Sequence, residues 1–443
     1  MKKYLFILTA IIISSVLHAR QIEVWHIYSG CKKEVLQKTC TYYEENTEQS
    51  TIKLIGFSDY ASMITALNLS MKNNIPPDIL ICPDSLSKIL IDSGSVLAVQ
   101  KLIDIDTDFK QKNLFQLLLE KFRYKQSIYA LPFNPVILMS FYNTSLSDRL
   151  GLDGKSIPST LEEVLQNAMN ASASELYSRE DISYVSMPLD SIMLENFLCM
   201  SNLFFTDQDN GRSEKPDSIM PDISQIYSFI DFWLNMQNLK YAKLYAHDGW
   251  QESMDSFISG KSCMTFSWSD NIKKILDQSE KRNFKTDIGF VPVFKRMEGC
   301  PLISCEGLWL VSGHTQDEIK EAWNFLKYLV SEKVQADCFL SCGSIPVSTL
   351  SIDYLLENDF SSQTFEGYMP LIKLLVSNTS FQSTGAFFAD HTYARKTIND
   401  FLKKSLSLEM DSQEVSLEER LLKVKRDIDS HISFYNDLNS YTK

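Results

Sequence analysis

Ile22-Glu23-Val24-Trp25-His26-Ile27 is a short, largely apolar run, and a helix-forming stretch from Lys33 to Glu45 follows it. The same unit recurs twice. Thr51 to Phe57 reads as a second strand and Tyr60 to Met71 as a second helix. Asp78 to Cys82 reads as a third strand, entered through Pro76-Pro77, with a helix from Ser85 to about Ile91 behind it. Strands alternating with helices at this spacing predict βαβ units and a parallel sheet, because parallel neighbours need a crossover long enough to hold a helix.

On the N-terminal side of this pattern, Lys2 and Lys3 precede an apolar run from Leu5 to Leu17 that ends in Leu17-His18-Ala19. A basic start, about a dozen apolar residues and a small residue at the end describe a cleaved export signal over residues 1–19. A membrane span would need roughly 20 apolar residues. The body is therefore expected outside the cytoplasm, in the periplasm or secreted. Tyr28-Ser29-Gly30-Cys31 ends as lipoprotein sites end, yet Arg20, Glu23 and His26 separate Cys31 from the apolar run.

On the C-terminal side the character becomes mostly helical, with polar loops such as Asp207 to Ser218. Ser159-x-x-Glu162 and Thr315-x-x-Glu318 have the form of capping boxes. After the second, Ile319, Ala322, Leu326 and Leu329 share one helical face, which is the signature of core packing. Further strands are expected from Cys263 to Trp268, around Ile288 to Val291, and from Gly307 to Val311. Two amphipathic helices close the chain, near His391 to Leu406 and from Ser416 to about Tyr435.

A length of 443 residues exceeds one ordinary core, so two domains are expected. Hydrophobic content of 44% excludes a disordered chain. A net charge of −13, more negative still without Lys2 and Lys3, excludes nucleic acid and anionic membranes as partners unless a basic patch is hidden, and no basic run is long enough. The nine cysteines are an odd number; Cys300/Cys305 or Cys338/Cys342 are candidate bridges, and sequence alone fixes no pairing. No CxxC and no Cys/His pair at zinc spacing occurs, so neither metal nor cofactor is expected. G-x-S-x-G, H-E-x-x-H, G-x-G-x-x-G and a full P-loop are also missing, which favours binding over catalysis and a chain that is not an enzyme.

Several segments, in order, resemble the extracellular solute-binding proteins of ABC importers, in the group that takes sugars and glycerol-3-phosphate. The opening strand ending in Trp25-His26 is one. Asn74-Ile75-Pro76-Pro77-Asp78 resembles that family's entry to its third strand, and Ala130-Leu131-Pro132-Phe133-Asn134 with Phe141-Tyr142-Asn143 resembles its crossing segment. Leu194-Glu195-Asn196-Phe197, Phe257 to Thr265 with Gly260 at the turn, and Gly343-Ser344-Ile345-Pro346 continue the series.

The resemblance implies an α/β fold of the two-lobed periplasmic binding protein type (type II), its lobes joined by crossing strands with a ligand cleft between them. It divides the chain into the signal at 1–19, a first lobe of 20–133 plus 288–340, and a second of 134–287 plus 341–443. Crossings are implied near Phe133, near Ile288 to Phe294 and near Cys338 to Cys342. Ligand contacts are implied at Tyr28, Tyr60, Asp84, Asn134, Trp268, Ser304, Glu306, Ser344 and His391. Implied partners are a small polar solute and ABC permease subunits in the membrane, with the chain itself a monomer.

Departures from the glycerol-3-phosphate branch bear on the solute. Where that branch carries a phosphate-clamping Arg, the simplest register puts Phe387; Pro135 and Val136 replace serine positions, and Ser191 replaces an aromatic. A phosphate monoester is best held by a bidentate cation. A neutral sugar, polyol or oligosaccharide therefore fits better than glycerol-3-phosphate or a glycerophosphodiester. Two other uses remain open: a binding fold serving sensing or host contact without transport, and a secreted carbohydrate-active enzyme.

Overall fold

Arg20–His26 (β1) pairs in parallel with Ser50–Gly56 (β2) on one side and Ile79–Pro83 (β3) on the other, and helices Gly30–Asn46 (α1) and Tyr60–Lys72 (α2) make the crossovers. Alternation along each strand sets the layers. Ile22, Val24, Ile79 and Ile81 join one core cluster, while Trp25, Leu80 and Cys82 join another on the opposite face. The computed structural model describes residues 20–47, 50–152, 156–295, 298–358, 363–377, 384–407 and 415–438. The export signal read at residues 1–19 lies outside the described residues. Cleavage before Cys31 would strip out β1, whose Ile22 and Val24 are fully buried between two partner strands, and this excludes Cys31 as a lipid-attachment point.

Six more strands complete the sheet: Ala130–Asn143 (β4), Ser183–Pro188 (β5), Ala242–Tyr245 (β6), Ser262–Trp268 (β7), Thr286–Phe290 (β8) and Ile303–Leu310 (β9). Their order is β2-β1-β3-β9-β4-β7-β5-β6, with β8 also paired to β4. The long strand β4 organises the molecule. Its first half pairs with β9, from Ala130 opposite Trp309 to Ile137 opposite Ile303. Its second half pairs with β7, from Leu138 opposite Trp268 to Tyr142 opposite Met264, and with β8.

Within the half that pairs with β9, Asn134 and Pro135 face Cys305 at a shift of register, a β-bulge. Asn134 has a φ of 47°, the left-handed region that asparagine tolerates better than most residues, and Pro135 has no N–H to give the ladder. The strand therefore bends within that half, just before it passes from β9 to β7.

Two lobes share this strand. The first is cored by Ile22, Val24, Leu118, Leu308, Trp323 and Leu326, the second by Tyr142, Tyr184, Phe197, Trp233 and Phe266. The helices that matter below are Ser191–Met200 (α3), Glu332–Cys342 (α4) and His391–Leu406 (α5). Cys338 to Cys342, where a third crossing is implied, form the last turn of α4. That helix buries Val334, Cys338, Phe339 and Cys342 in the first cluster, and Ile352, Leu355, Tyr368 and Leu371 follow it there. α5 and Leu417–Leu438 bury Ile398, Phe401, Ile428 and Ile432 in the second.

Thr315 and Glu318 form the expected capping box. The other box sits one residue later than expected, at Thr160 and Glu163, because Ser159 also turns its Oγ (3.1 Å) and N–H (2.8 Å) onto the Glu163 carboxylate. Among the described residues no helix is long and apolar enough to cross a membrane.

Candidate functional site

Four of the residues expected at a cleft converge at the bend of β4. Tyr28 follows β1, Tyr60 opens α2, Asn134 is the bulge residue, and Glu306 lies opposite Phe133 on β9. The Tyr28 hydroxyl donates to Glu306 Oε2, and the Tyr60 hydroxyl donates to Oε1 at 3.0 Å. The Asn134 amide donates to Tyr28 Oη at 2.7 Å and to Glu306 Oε2 at 3.2 Å. Burial, and then the Glu306 charge, push both phenols well above the ordinary tyrosine range, so both stay protonated and remain donors. Buried His26 accepts the Tyr28 N–H on Nδ1 at 2.9 Å, and burial lowers its pKa, which favours the neutral ring this bond requires.

The other expected residues stand around this group at different removes. Asp84 begins the turn after β3 and bears electrostatically on Tyr60, but its carboxylate is paired with Lys121 Nζ at 2.5 Å. Ser304 is half-buried on β9, opposite Val136. Ser344 is buried at the bend, and its Oγ has no hydrogen-bond partner among the described residues. It follows Gly343, whose φ of 69° and tight quarters exclude a side chain: a Cβ there would meet Tyr368 Oη at 2.5 Å and the Asp270 carbonyl at 3.0 Å.

Trp268 ends β7, half-buried, with its ring 5.9 Å from that of Trp250. Lys32 links this wall to the first: its Nζ is 3.6 Å from Asp270, and Glu306 and Asp270 together outweigh burial and raise its pKa. His391 is not on this wall. It is buried at the start of α5 with Nε2 3.1 Å from Glu195 Oε2.

The second lobe holds its own charged cluster. The Trp250 indole donates to Asp190 Oδ2 at 3.0 Å, and Asp190 Oδ1 caps α3 by accepting the Met193 N–H. Burial raises the Asp190 carboxyl to about 7 against those bonds. One turn on, Glu195 takes Arg395 Nε and Nη2 at 2.7 and 2.9 Å. Burial alone would raise its pKa, yet Arg395 and then His391 outweigh it and hold the carboxyl well below the usual range.

Two cations, Lys121 buried and Arg212 half-buried, escaped the sequence reading. Lys121 is fully buried, paired with Asp84 and donating to the Thr384 carbonyl at 2.8 Å. Arg212 donates to Thr384 Oγ1 at 3.1 Å and to the carbonyls of Thr384 and Gly385 at 3.1 and 3.3 Å. Its guanidinium sits 4.9 Å from the ring of Phe387, which stacks on Tyr124. Residues 384–387 are thus the seam where Lys121 and Tyr124 meet Arg212. The sequence reading left Phe387 without a cationic substitute; in space, the Arg212 guanidinium lies over that ring. Burial lowers its pKa to about 10 while Asp84 and Glu120 favour the charged form, so it remains a full cation at neutral pH.

The sequence model of a family described as bacterial extracellular solute-binding protein matches residues 38–363. The chain is 21% identical over 404 residues to the sn-glycerol-3-phosphate-binding periplasmic protein UgpB of Brucella melitensis, covering 88% of this chain and 89% of that protein. Its fold is similar to that of the GacH receptor of Streptomyces glaucescens, solved unliganded and with acarbose, at a TM-score of 0.73 and 15% identity over 94% of this chain and 99% of the other. It is similar as well to UgpB from Mycobacterium tuberculosis in complex with glycerophosphocholine, at a TM-score of 0.72 and 14% identity, with the same shares covered. These neighbours carry the two-lobed fold.

Proposed function

The chain belongs to the bacterial extracellular solute-binding protein family, and we propose that it captures a sugar, polyol or glycerol-derived solute at the bend of β4 by closing its lobes. The observation that carries this is the convergence of Tyr28, Tyr60, Asn134 and Glu306 from four separate segments. A carboxylate has about four acceptor sites, so one organised by three donors keeps about one for a solute hydroxyl, and charge-assisted bonds of this kind are about twice as strong as neutral ones. Trp268, beside Trp250, offers a ring for the apolar face of a sugar.

The chain acts as the solute-binding component of an ABC importer, exported through residues 1–19 and delivering its solute to permease subunits without altering it. Closure would shift the lobe equilibrium by the difference in solute affinity between its two states.

A second reading, a phosphate ester such as the glycerol-3-phosphate named for curated relatives, is favoured by Arg212 on Phe387 and by Lys121 beside it. Against it, Lys121 is neutralised by Asp84, and Arg212 is engaged by Thr384 and Gly385. Mass spectrometry of solute released by denaturing natively purified protein separates the two. An uncharged, hydroxyl-rich compound is expected; a phosphomonoester would favour the second reading, and turnover of glycosides would point to an enzyme.

A further inference from the structure

Lys32 stands in the first turn of α1 and reaches towards the wall that carries Trp268. Its Nζ is 3.6 Å from Asp270 Oδ2, with 28% of its side chain and 24% of that of Asp270 exposed. α1 buries Val35, Leu36, Cys40 and Tyr43 in the first cluster, so Lys32 is carried by the first lobe. Asp270 lies in the single turn Ser269–Asn271 directly behind β7, two residues past Trp268, and is carried by the wall that holds the tryptophan pair. Lys32 also lines a cavity of about 10 Å³ together with Tyr28 and Asn134, the two residues that donate to Glu306 Oε2. One side chain thus stands beside both walls.

We propose that Lys32 is a positioning residue of the solute site, its ion pair with Asp270 drawing the wall that carries Trp268 towards the wall that carries Glu306 before a solute arrives. The inference rests on the reading of these two walls as a site that closes. Two carboxylates, Glu306 and Asp270, draw on this one ammonium, and among the described residues neither has another cation at ion-pair distance. Burial works against the Lys32 charge, yet Glu306 and then Asp270 outweigh it. Burial raises the Asp270 carboxyl and Lys32 opposes the rise, so the ammonium is the firmer charge of the pair. A solute hydroxyl donating to Glu306 would fill the remaining acceptor site there and weaken its pull on Lys32, leaving the ammonium to Asp270. Capture at Glu306 and tightening of the pair then favour one another, as linkage requires.

An ion pair with this much access to water is weak on its own. It has leverage because the two arrangements of a hinged protein differ little in free energy, so a several-fold change in their ratio moves the average shape. The contact also differs in kind from the seam at residues 384–387, where Lys121 and Arg212 donate to backbone carbonyls at 2.8 and 3.1 Å. At 3.6 Å the Lys32–Asp270 pair is looser than a hydrogen bond, so salt is able to loosen it.

The test uses the full exported chain, stripped of solute and shown empty by mass spectrometry, and follows its radius of gyration by small-angle X-ray scattering at mildly alkaline pH. Lys32→Met and Asp270→Asn are each expected to have a larger radius than wild type at low salt. The double variant is expected to be no larger than either single one, and Lys32→Arg to keep the wild-type value. At about 1 M salt wild type is expected to expand towards the variants, which themselves do not expand. Screening of the general repulsion in a chain of net charge −13 acts the other way, by compaction, so expansion marks the pair. Equal radii in wild type, Lys32→Met and Asp270→Asn at low salt would overturn the proposal. So would summed expansions in the double variant, Lys32→Arg as open as Lys32→Met, or wild type that does not expand in salt, a measurement that needs no variant to fold. Because no solute is present, these outcomes stand apart from whether a solute is captured.

Discussion

Glu306 is the acceptor on which two phenols and an amide converge, so changing it tests the site at its centre. Glu306→Gln keeps the shape and an acceptor oxygen but removes the charge. It is expected to weaken solute binding by about 1.5–3 kcal/mol, the range for hydrogen bonds to charged groups, in calorimetry with the co-purified solute. Affinity equal to wild type would place Glu306 outside the contact. Trp268→Ala is expected to weaken the same binding by about 1–3 kcal/mol through lost apolar burial, with the fold intact because the ring is only half-buried. Unchanged affinity would assign that ring to packing against Trp250.

Asp190 makes a different prediction, about pH. Its folded pKa is raised by burial from 3.8 to about 7, so the folded state holds this proton more tightly than the unfolded state does. The associated stability is present below about pH 4 and is lost as pH rises towards about 7. Asp190→Asn stays neutral and still caps α3. It should flatten the stability profile between those limits by about 2–4 kcal/mol relative to wild type; parallel profiles in chemical denaturation would contradict this.

At the scale of elements, the seam at residues 384–387 is where the lobes are tied. Lys121→Met should cost about 2–3 kcal/mol in urea denaturation, less than for a fully buried pair because Asp84 keeps some access to water. Changing Asp84→Leu together with it should recover most of the loss, and additive losses would show that the pair is not coupled.

The same seam marks the limit of what the sequence discloses. The β1-α1-β2-α2-β3 series was readable because apolar runs and helical stretches alternate with Pro76-Pro77 as punctuation. The passage of the chain near Phe133 was readable through Leu131-Pro132-Phe133-Asn134. Cys338-Phe339-Leu340-Ser341-Cys342 is a short apolar run with no period of its own, and what makes it helical is continuity with Glu332 to Gln335. Lys121 ends a helix and looks like a solvated side chain. It is buried only because residues 384–385 fold over it, a contact 263 residues away in sequence. The pairing of His391 with Glu195, 196 residues distant, was equally illegible. Local pattern records which face of a helix is apolar and says nothing of which remote segment will cover it.

For the molecule as a whole, a solute that binds between two lobes sharing β4 must favour the arrangement that brings Trp268 towards Glu306. The bulge at Asn134 and Pro135 is the natural place for that motion, since the ladder to β9 is already interrupted there. Small-angle X-ray scattering of the purified protein, stripped and then saturated with its own solute, tests this most directly. The radius of gyration is predicted to fall on saturation in wild type and to stay at the stripped value in Glu306→Gln at the same solute concentration. Saturation, confirmed by calorimetry, with no change in the radius of gyration would contradict capture by closure.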